Sequence, residues 1–131
     1  MKVMICEENQ DKAKVIEDLL NVYKFKVITL TESMNFIKKV QTHKPAVVII
    51  NDKFMKKPGN IMLNQLRTNP VGAKTPVIYI SEENNVEKVL NNFSGDSLLE
   101  LMQEPYKIKH LRHFIDRWTL FRSLHLRHES N

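Results

Sequence analysis

The stretch that decides the fold is Lys44–Asp52, which reads KPAVVIIND. Five consecutive apolar residues, Ala46–Ile50, stand between a proline and two polar residues, a pattern typical of a strand buried on both faces of a sheet. Four similar apolar runs occur elsewhere in the chain, at Val3–Cys6, Val27–Leu30, Val77–Ile80 and Leu98–Met102. The sequence therefore predicts five strands, and the charged residues Lys26 and Glu100 place the second and fifth strands nearer the sheet edges.

Between these runs the apolar residues recur with the period of an amphipathic helix. Ser33 is placed to cap the second helix, and Gly59 lies in the loop before the third. A fourth helix over Asn84–Asn92 is rich in Asn and is expected to be only marginally stable. The C-terminal helix begins after Pro105, and its apolar pattern continues through Leu124.

Strict alternation of strands and helices predicts an α/β fold with a parallel sheet and helices on both of its faces. The common five-strand solution is the flavodoxin-like (βα)5 three-layer sandwich, with strand order 2-1-3-4-5. We expect one domain over residues 1–121, followed by a helical extension or tail over residues 122–131. In this topology a ligand binds at the carboxyl ends of strands 1 and 3.

Length and composition narrow the class of protein. The 131 residues suit one compact domain, and no apolar run approaches the roughly 20 residues of a membrane helix. Cys6 is the only cysteine, which fits a reducing compartment, and we expect a cytoplasmic protein. The net charge of +5 is uneven, because residues 105–131 hold six basic and two acidic side chains. The basic character therefore belongs to the C-terminal segment.

Polar residues follow the predicted strands at the expected ligand site. They are Glu7 and Glu8 after strand one, Asn51 after strand three, Ser81 after strand four, and Glu104, Pro105 and Tyr106 after strand five. In this order and spacing the chain resembles a response-regulator receiver domain of the chemotaxis-regulator kind, over residues 1 to about 121. The resemblance implies that the acidic pair holds Mg²⁺ and that a hydroxyl ends strand four. It also implies a phosphoacceptor Asp at position 51 and a Lys at position 104.

Two positions depart from the family pattern. Asn51 stands where the phosphoacceptor Asp is expected, and an amide offers no anionic oxygen to attack phosphorus. Glu104 stands where the family has a Lys, so a phosphoryl group there would face carboxylates in place of a cation. Asp52 cannot substitute, because alternation along a strand points it to the other face. These changes predict a degenerate receiver, or pseudo-receiver, that is not phosphorylated.

Two interpretations of the acidic residues remain open. Glu7, Glu8 and Glu104 are weak candidates for a Mg²⁺ or Ca²⁺ site, because carboxylate oxygens are ligands for both ions. The alternative is a solvated acidic cleft in which one carboxyl is protonated more readily than usual, with Lys53 folding over to neutralise it. We favour the second and predict no cofactor. Ser81 is then expected to satisfy a backbone group.

A non-phosphorylated receiver has to act through a surface. The resemblance implies that partners bind the face formed by the fourth helix, the fifth strand and the C-terminal helix. On that face we expect contacts with a second copy or another protein at Phe121, Arg122 and Leu124, because aromatic and Arg residues are frequent in interface hot spots. Trp118 is a further candidate for this contact, although core packing is its favoured role.

Other function classes have less support. The arginines of the C-terminal helix recur every five residues and do not form one basic stripe, so nucleic-acid binding by a basic tail is the less favoured alternative. No glycine-rich phosphate loop follows the first strand, and we expect no enzymatic activity. A conventional receiver with an artificially altered acceptor would explain Asn51 but leaves Glu104 unexplained.

Overall fold

The structure is a computed structural model that describes residues 1–82 and 95–129, with side chains described as far as residue 120. It contains a five-stranded parallel sheet in the order β2-β1-β3-β4-β5. The strands are β1 (Lys2–Cys6), β2 (Lys26–Leu30), β3 (Val47–Asn51), β4 (Val77–Ser81) and β5 (Leu99–Gln103). The described helices are α1 (Gln10–Leu20), α2 (Phe36–His43), α3 (Gly59–Thr68) and the C-terminal helix (Ile108–Glu129). The predicted flavodoxin-like fold and strand order are confirmed.

Burial along the strands follows their place in the sheet. Every residue of β3 and β4 is buried, as the continuous apolar runs of these central strands require. The two edge strands β2 and β5 are mostly of intermediate exposure, as Lys26 and Glu100 indicated. The strand bounds differ from the predicted ones by a single residue at one or both ends, because polar residues such as Asn51 and Ser81 also pair in the ladder.

Two apolar layers cover the sheet. On one face α1 and the C-terminal helix pack against the side chains of the central strands, with Ile16, Leu111 and Ile115 fully or almost fully buried. On the other face α2 and α3 pack through Val40 and Leu66 against the opposite side chains of the same strands. The three-layer arrangement follows from the strand alternation, which sends successive side chains to opposite faces.

Two local expectations about helix termini are corrected. Ser33 does not cap α2, because Asn35 takes the left-handed conformation at φ 60° immediately before the helix and leaves Ser33 outside it. The carbonyl oxygen of Ser33 accepts a turn hydrogen bond from the Phe36 N–H at 3.1 Å. Gly59 is the first residue of α3 and not part of the preceding loop. The helix predicted over Asn84–Asn92 falls outside the described residues.

The C-terminal helix is continuous over 22 residues, so the predicted helical extension is present. The division proposed between residues 121 and 122 falls inside this helix. Trp118 belongs to its buried stripe with only 7% of its surface exposed, because it follows Leu111 and Ile115 at helical spacing. Within the described part of the chain, no helix is both long and apolar enough to cross a bilayer.

Candidate functional site

The turn after β1 and the start of α1 place Glu7 and Lys12, respectively, above the carboxyl edge of the sheet. The Glu7 N–H donates to the Leu30 carbonyl oxygen at 3.1 Å, which continues the pairing of β1 with β2. Asn9 then caps α1, and its side-chain oxygen accepts from the Lys12 N–H at 3.1 Å. Because the cap fixes the start of α1, Lys12 lies in its first turn and its side chain reaches the ends of the strands.

Asn51 ends β3 and is held on both sides of its amide. Its Nδ2 donates to Oε1 of Glu104 at 2.6 Å, and its Oδ1 accepts from the Lys53 N–H at 3.0 Å. The side chain is only 4% exposed. The residue at the predicted phosphoacceptor position is therefore locked by hydrogen bonds to its neighbours.

Glu104 bridges Asn51 to a lysine. Lys12 Nζ lies 2.8 Å from Glu104 Oε2 and 3.8 Å from Glu82 Oε1. The hydrogen bond to Glu104 is the largest cause that raises the pKa of Lys12 above its ordinary value, so the lysine is held in its charged form. Each carboxylate oxygen of Glu104 thus has a partner from a different element.

Lys53 does not neutralise the acidic residues in the way that the sequence predicted. Its Nζ pairs with Glu82 Oε2 at 2.8 Å and forms no salt bridge with Glu7, Glu8 or Glu104. Lys12 takes the neutralising role, and neither Lys12 nor Glu82 was among the predicted site residues. One signal could have identified Lys12, because a lysine in the first turn of a helix that follows β1 lies above the carboxyl ends of the central strands.

Glu7 and Glu8 differ sharply in their surroundings. Glu7 is only 4% exposed, and burial raises the pKa of its carboxyl above the ordinary value, although the Asn9 N–H and the charge of Lys12 act in the opposite direction. Glu8 is exposed. Among the described residues, no three or more His, Cys, Asp and Glu side chains are grouped so that they could hold a metal ion. The three predicted carboxylates are therefore not assembled into one ligand set.

Ser81 ends β4 with its hydroxyl turned to the backbone. Its Oγ donates to the Met102 carbonyl oxygen at 3.3 Å, and the residue is 3% exposed. This is the backbone-satisfying role that the sequence analysis gave as an expectation.

Asp52 lies on the opposite face of the sheet from Asn51. Its carboxylate accepts a hydrogen bond from the Tyr79 hydroxyl, whose ring belongs to the core on the α2 and α3 side. Burial is the largest cause that raises the pKa of this hydroxyl well above its ordinary value. Alternation along β3 therefore directs Asp52 away from the cleft, as expected.

A cavity of about 200 Å³ adjoins the hydrogen-bonded pair Asn51 and Glu104, which both line it. Its walls come from α1, from the carboxyl ends of β1, β3 and β4, and from the residues that follow β5. It is lined by Cys6, Glu7, Lys12, Val15, Ile16, Ile49, Asn51, Ile80, Glu104, Pro105 and Tyr106. Glu8 and Ser81 do not line it.

The predicted interaction face is described only in part. Trp118 is almost wholly buried, which agrees with the core packing favoured for it and not with a partner contact, and the Arg117 guanidinium lies 5.7 Å from its ring centroid. Leu120, which the sequence analysis did not single out, is 62% exposed on the same helix. The side chains of Phe121, Arg122 and Leu124 fall outside the described residues.

Comparison with known proteins agrees with the observed fold. The family model for the response regulator receiver domain matches residues 3–115. A response regulator receiver domain protein from Clostridium thermocellum superposes with a TM-score of 0.77 at 18% identity, over 94% of this chain and 97% of that one. A second similar structure is the receiver domain of the sensor histidine kinase PA1611 from Pseudomonas aeruginosa, which has magnesium coordinated in its active-site cleft. It superposes with a TM-score of 0.74 at 16% identity, over 90% of this chain and 96% of that one.

A longer curated relative also matches. The protein RcaC of Microchaete diplosiphon is 29% identical over 80 residues, which are 61% of this chain. The match covers only 12% of that protein's length.

Proposed function

The chain belongs to the response regulator receiver domain family, and we propose that it is a member that accepts no phosphoryl group and acts by binding another protein. It works in two-component-type signal transduction in the cytoplasm, and it carries no catalysis of its own. The observation that supports this proposal is the hydrogen bond from Asn51 to Glu104 at the phosphoacceptor position.

The two departures from the family pattern compensate each other. A receiver with Asp and Lys at these positions pairs an anionic acceptor with a cationic donor. Here the roles are exchanged, because the Asn51 amide donates and the Glu104 carboxylate accepts at 2.6 Å. A single artificial change at position 51 would not produce such a reciprocal pair, which favours a natural loss of phosphorylation.

The exchange leaves no nucleophile for phosphoryl transfer. An aspartyl phosphate forms when an anionic carboxylate oxygen attacks phosphorus. The Asn51 Oδ1 is a neutral amide oxygen, and it already accepts a hydrogen bond from the Lys53 N–H. The nearest carboxylate along the strand, Asp52, lies on the other face with Tyr79.

The charges of the cleft also oppose a phosphoryl group. Lys12 is the cation beside Asn51 and Glu104, and it is already paired with Glu104 at 2.8 Å. A phosphoryl group next to Asn51 would approach the Glu104 carboxylate and the buried Glu7. Like charges at such distances repel by several kcal/mol when they are poorly solvated.

The residues at the family's Mg²⁺ position do not fit this ion. Mg²⁺ requires several oxygen ligands in near-octahedral geometry, usually including one or two carboxylates. Both oxygens of Glu104 are engaged by Asn51 and Lys12, and the Asn51 Oδ1 by a backbone N–H. Glu7 is buried while Glu8 is exposed. We propose that the chain works without a resident metal.

The proposed function therefore requires a surface of the protein that binds a partner. The exposed Leu120 and the helix that continues to Glu129 support a partner-binding face on the C-terminal helix. Phe121, Arg122 and Leu124 remain the proposed contacts, with either a second copy or another protein. Large aromatic residues and arginines are enriched among the residues that dominate binding energy.

Incubation with acetyl phosphate and Mg²⁺, followed by intact-mass spectrometry, tests the loss of phosphorylation. The wild-type chain is expected to gain no phosphoryl group. The double variant Asn51→Asp with Glu104→Lys restores both family residues and serves as the positive control, because it provides a nucleophile and its cation. A phosphoryl adduct on the wild-type chain that hydroxylamine removes would contradict the proposal.

A further inference from the structure

The cavity beside the site has an apolar interior. Val15 and Ile16 from α1 face Ile49 and Ile80 from the sheet across it, and Tyr106 adds an aromatic ring. Its volume is about 200 Å³. It is smaller than the roughly 300–1,000 Å³ of sites for drug-sized ligands, so it suits a compact molecule.

The polar residues lie together at one end of the cavity. Lys12 and Asn51 each donate to a different carboxylate oxygen of Glu104 there. Glu7 is different, because its carboxylate accepts from the Asn9 N–H at 3.4 Å and forms no salt bridge with any described residue. Glu7, which is only 4% exposed, thus lines the cavity with Lys12 near enough to act on its charge but outside salt-bridge distance.

The charge balance at this end favours a cation. Glu7 and Glu104 line the cavity against one lysine, so the lining carries a formal charge of −1 with both carboxyls ionised. A buried carboxylate loses hydration free energy, and a charged hydrogen-bond donor brought to it restores part of that loss. The same carboxylates would repel an organic anion.

We infer that this cavity binds a small organic cation, a primary amine with a compact apolar body. The ammonium group pairs with the Glu7 carboxylate, and the apolar body displaces water from the wall formed by Val15, Ile16, Ile49 and Ile80. The Tyr106 ring adds a π-face that attracts cations. The inference rests on the proposed function, because a phosphoryl group at Asn51 would occupy the neighbouring space.

The chemistry of the walls distinguishes this ligand from a metal ion. A divalent cation needs several hard oxygen ligands at once, and the described residues offer no such group. An ammonium group needs only one carboxylate and a few acceptors, while its apolar body gains from burial. The combination of one poorly paired carboxylate with an apolar wall therefore matches an amine.

Three probes of similar shape and different charge test the inference. 2-Phenylethylamine, 2-phenylethanol and phenylacetate are titrated separately into the full chain without a phosphodonor, and backbone amide shifts are followed by NMR. The amine is expected to give saturable shifts at Glu7, Ile16 and Ile80 and to bind about tenfold more tightly than the alcohol, because a charged hydrogen bond is stronger than a neutral one. Phenylacetate is expected to bind most weakly.

Two substitutions locate the binding. Glu7→Gln is expected to weaken amine binding about tenfold while leaving alcohol binding unchanged, because only the charged partner is lost. Val15→Trp is expected to block all three probes by filling the cavity from the half-exposed face of α1. Val22→Trp is the matched control, since Val22 is 77% exposed and does not line the cavity.

The outcomes separate this inference from the proposed function. Equal affinity for the three probes, or amine binding that Glu7→Gln leaves unchanged, would overturn the amine site. Mg²⁺ shifts at the same amides that compete with the amine would assign the cleft to a metal instead. Beryllofluoride, which mimics a phosphoryl group, is added in a separate titration. Its binding would contradict the loss of phosphorylation, whereas absent amine binding with absent beryllofluoride binding contradicts only the amine site.

Discussion

At the scale of single residues, the hydrogen bond between positions 51 and 104 runs in the opposite direction from that of the family pattern, which has Asp and Lys at these positions. Asn51 provides the donor and Glu104 the acceptor, so the contact between β3 and the end of β5 survives without the charges of a phosphoacceptor pair. The remaining negative charge is balanced by Lys12 from α1. Under the proposed function, the architecture around position 51 is therefore kept although the phosphorylation chemistry is lost.

The carboxyl group of Glu7 makes the free energy of unfolding depend on pH. Its folded-state pKa lies above the ordinary value of 4.5, chiefly because of burial. The folded state therefore holds the proton over a range where the unfolded state has released it. The corresponding stability is complete below about pH 4.5 and is lost as the pH rises through the folded pKa.

We expect Glu7→Gln to remove this loss. The difference in unfolding free energy between the variant and the wild type should increase in the variant's favour as the pH rises above about 4.5, then level off above the raised pKa. Urea unfolding followed by Trp118 fluorescence at several pH values measures it. Glu8→Gln is the matched control, because its exposed side chain should change stability by no more than about 0.5 kcal/mol. A difference that stays flat or falls with pH would contradict the expected effect.

At the scale of secondary-structure elements, Arg67 connects the end of α3 to the start of β5. Its guanidinium donates to both carboxylate oxygens of Asp96 and to the carbonyl oxygens of Gly72, Thr75 and Leu98. The Arg67 and Asp96 side chains are 19% and 17% exposed. Because the Asp96 carboxylate also accepts from the Leu98 N–H, one ion pair fixes the backbone that enters the edge strand.

Arg67→Ala should therefore be among the more damaging changes outside the apolar core. It leaves a poorly solvated carboxylate and three carbonyl oxygens without their donor, and we expect it to lower the unfolding free energy by about 3 kcal/mol. Urea unfolding measures this loss. Lys57→Ala, which removes only an exposed hydrogen bond to Gln65, is the control and should cost less than about 0.5 kcal/mol. Equal losses in the two variants would show that Arg67 does not hold the edge strand.

At the scale of the whole molecule, the C-terminal helix is both a core element and the proposed interaction surface. Its buried residues Leu111, Ile115 and Trp118 belong to the core, and the helix then continues for nine residues beyond Leu120. At 1.5 Å per residue these nine residues add about 13 Å of helix. The helix therefore has the length to serve both roles.

Removal of residues 122–131 tests this division of roles. Since the buried residues described for the C-terminal helix precede the cut, we expect the unfolding free energy to change by less than about 1 kcal/mol. Any association of the chain, measured by sedimentation velocity, should be lost. The full chain carrying Phe121→Ala and Leu124→Ala is the companion variant and should lose association to a similar degree. A loss of several kcal/mol on truncation would instead make the tail part of the fold.

The sequence by itself was enough to predict the parallel sheet, its order and its two helical layers. Continuous apolar runs such as Ala46–Ile50, separated by helical patterns, leave few compact solutions, and topology rules select one of them. Helix termini were less well predicted, since the left-handed Asn35 and not Ser33 precedes α2. The sequence left two roles open for Trp118, and the structure contains the favoured one, because its spacing from Leu111 and Ile115 places it in the buried stripe.

Only the tertiary structure showed which side chains of the site form hydrogen bonds and ion pairs with each other. The sequence identified Asn51 and Glu104 as departures, but Lys12, which lies 92 positions before Glu104, was not predicted as its partner. The poorly paired Glu7 and the apolar cavity beside it also emerged only from the folded chain. Periodicity determines which face a residue occupies, because it depends on local backbone geometry. Ion pairs and cavities depend on ångström-scale distances between side chains that only the packed helices and strands bring together.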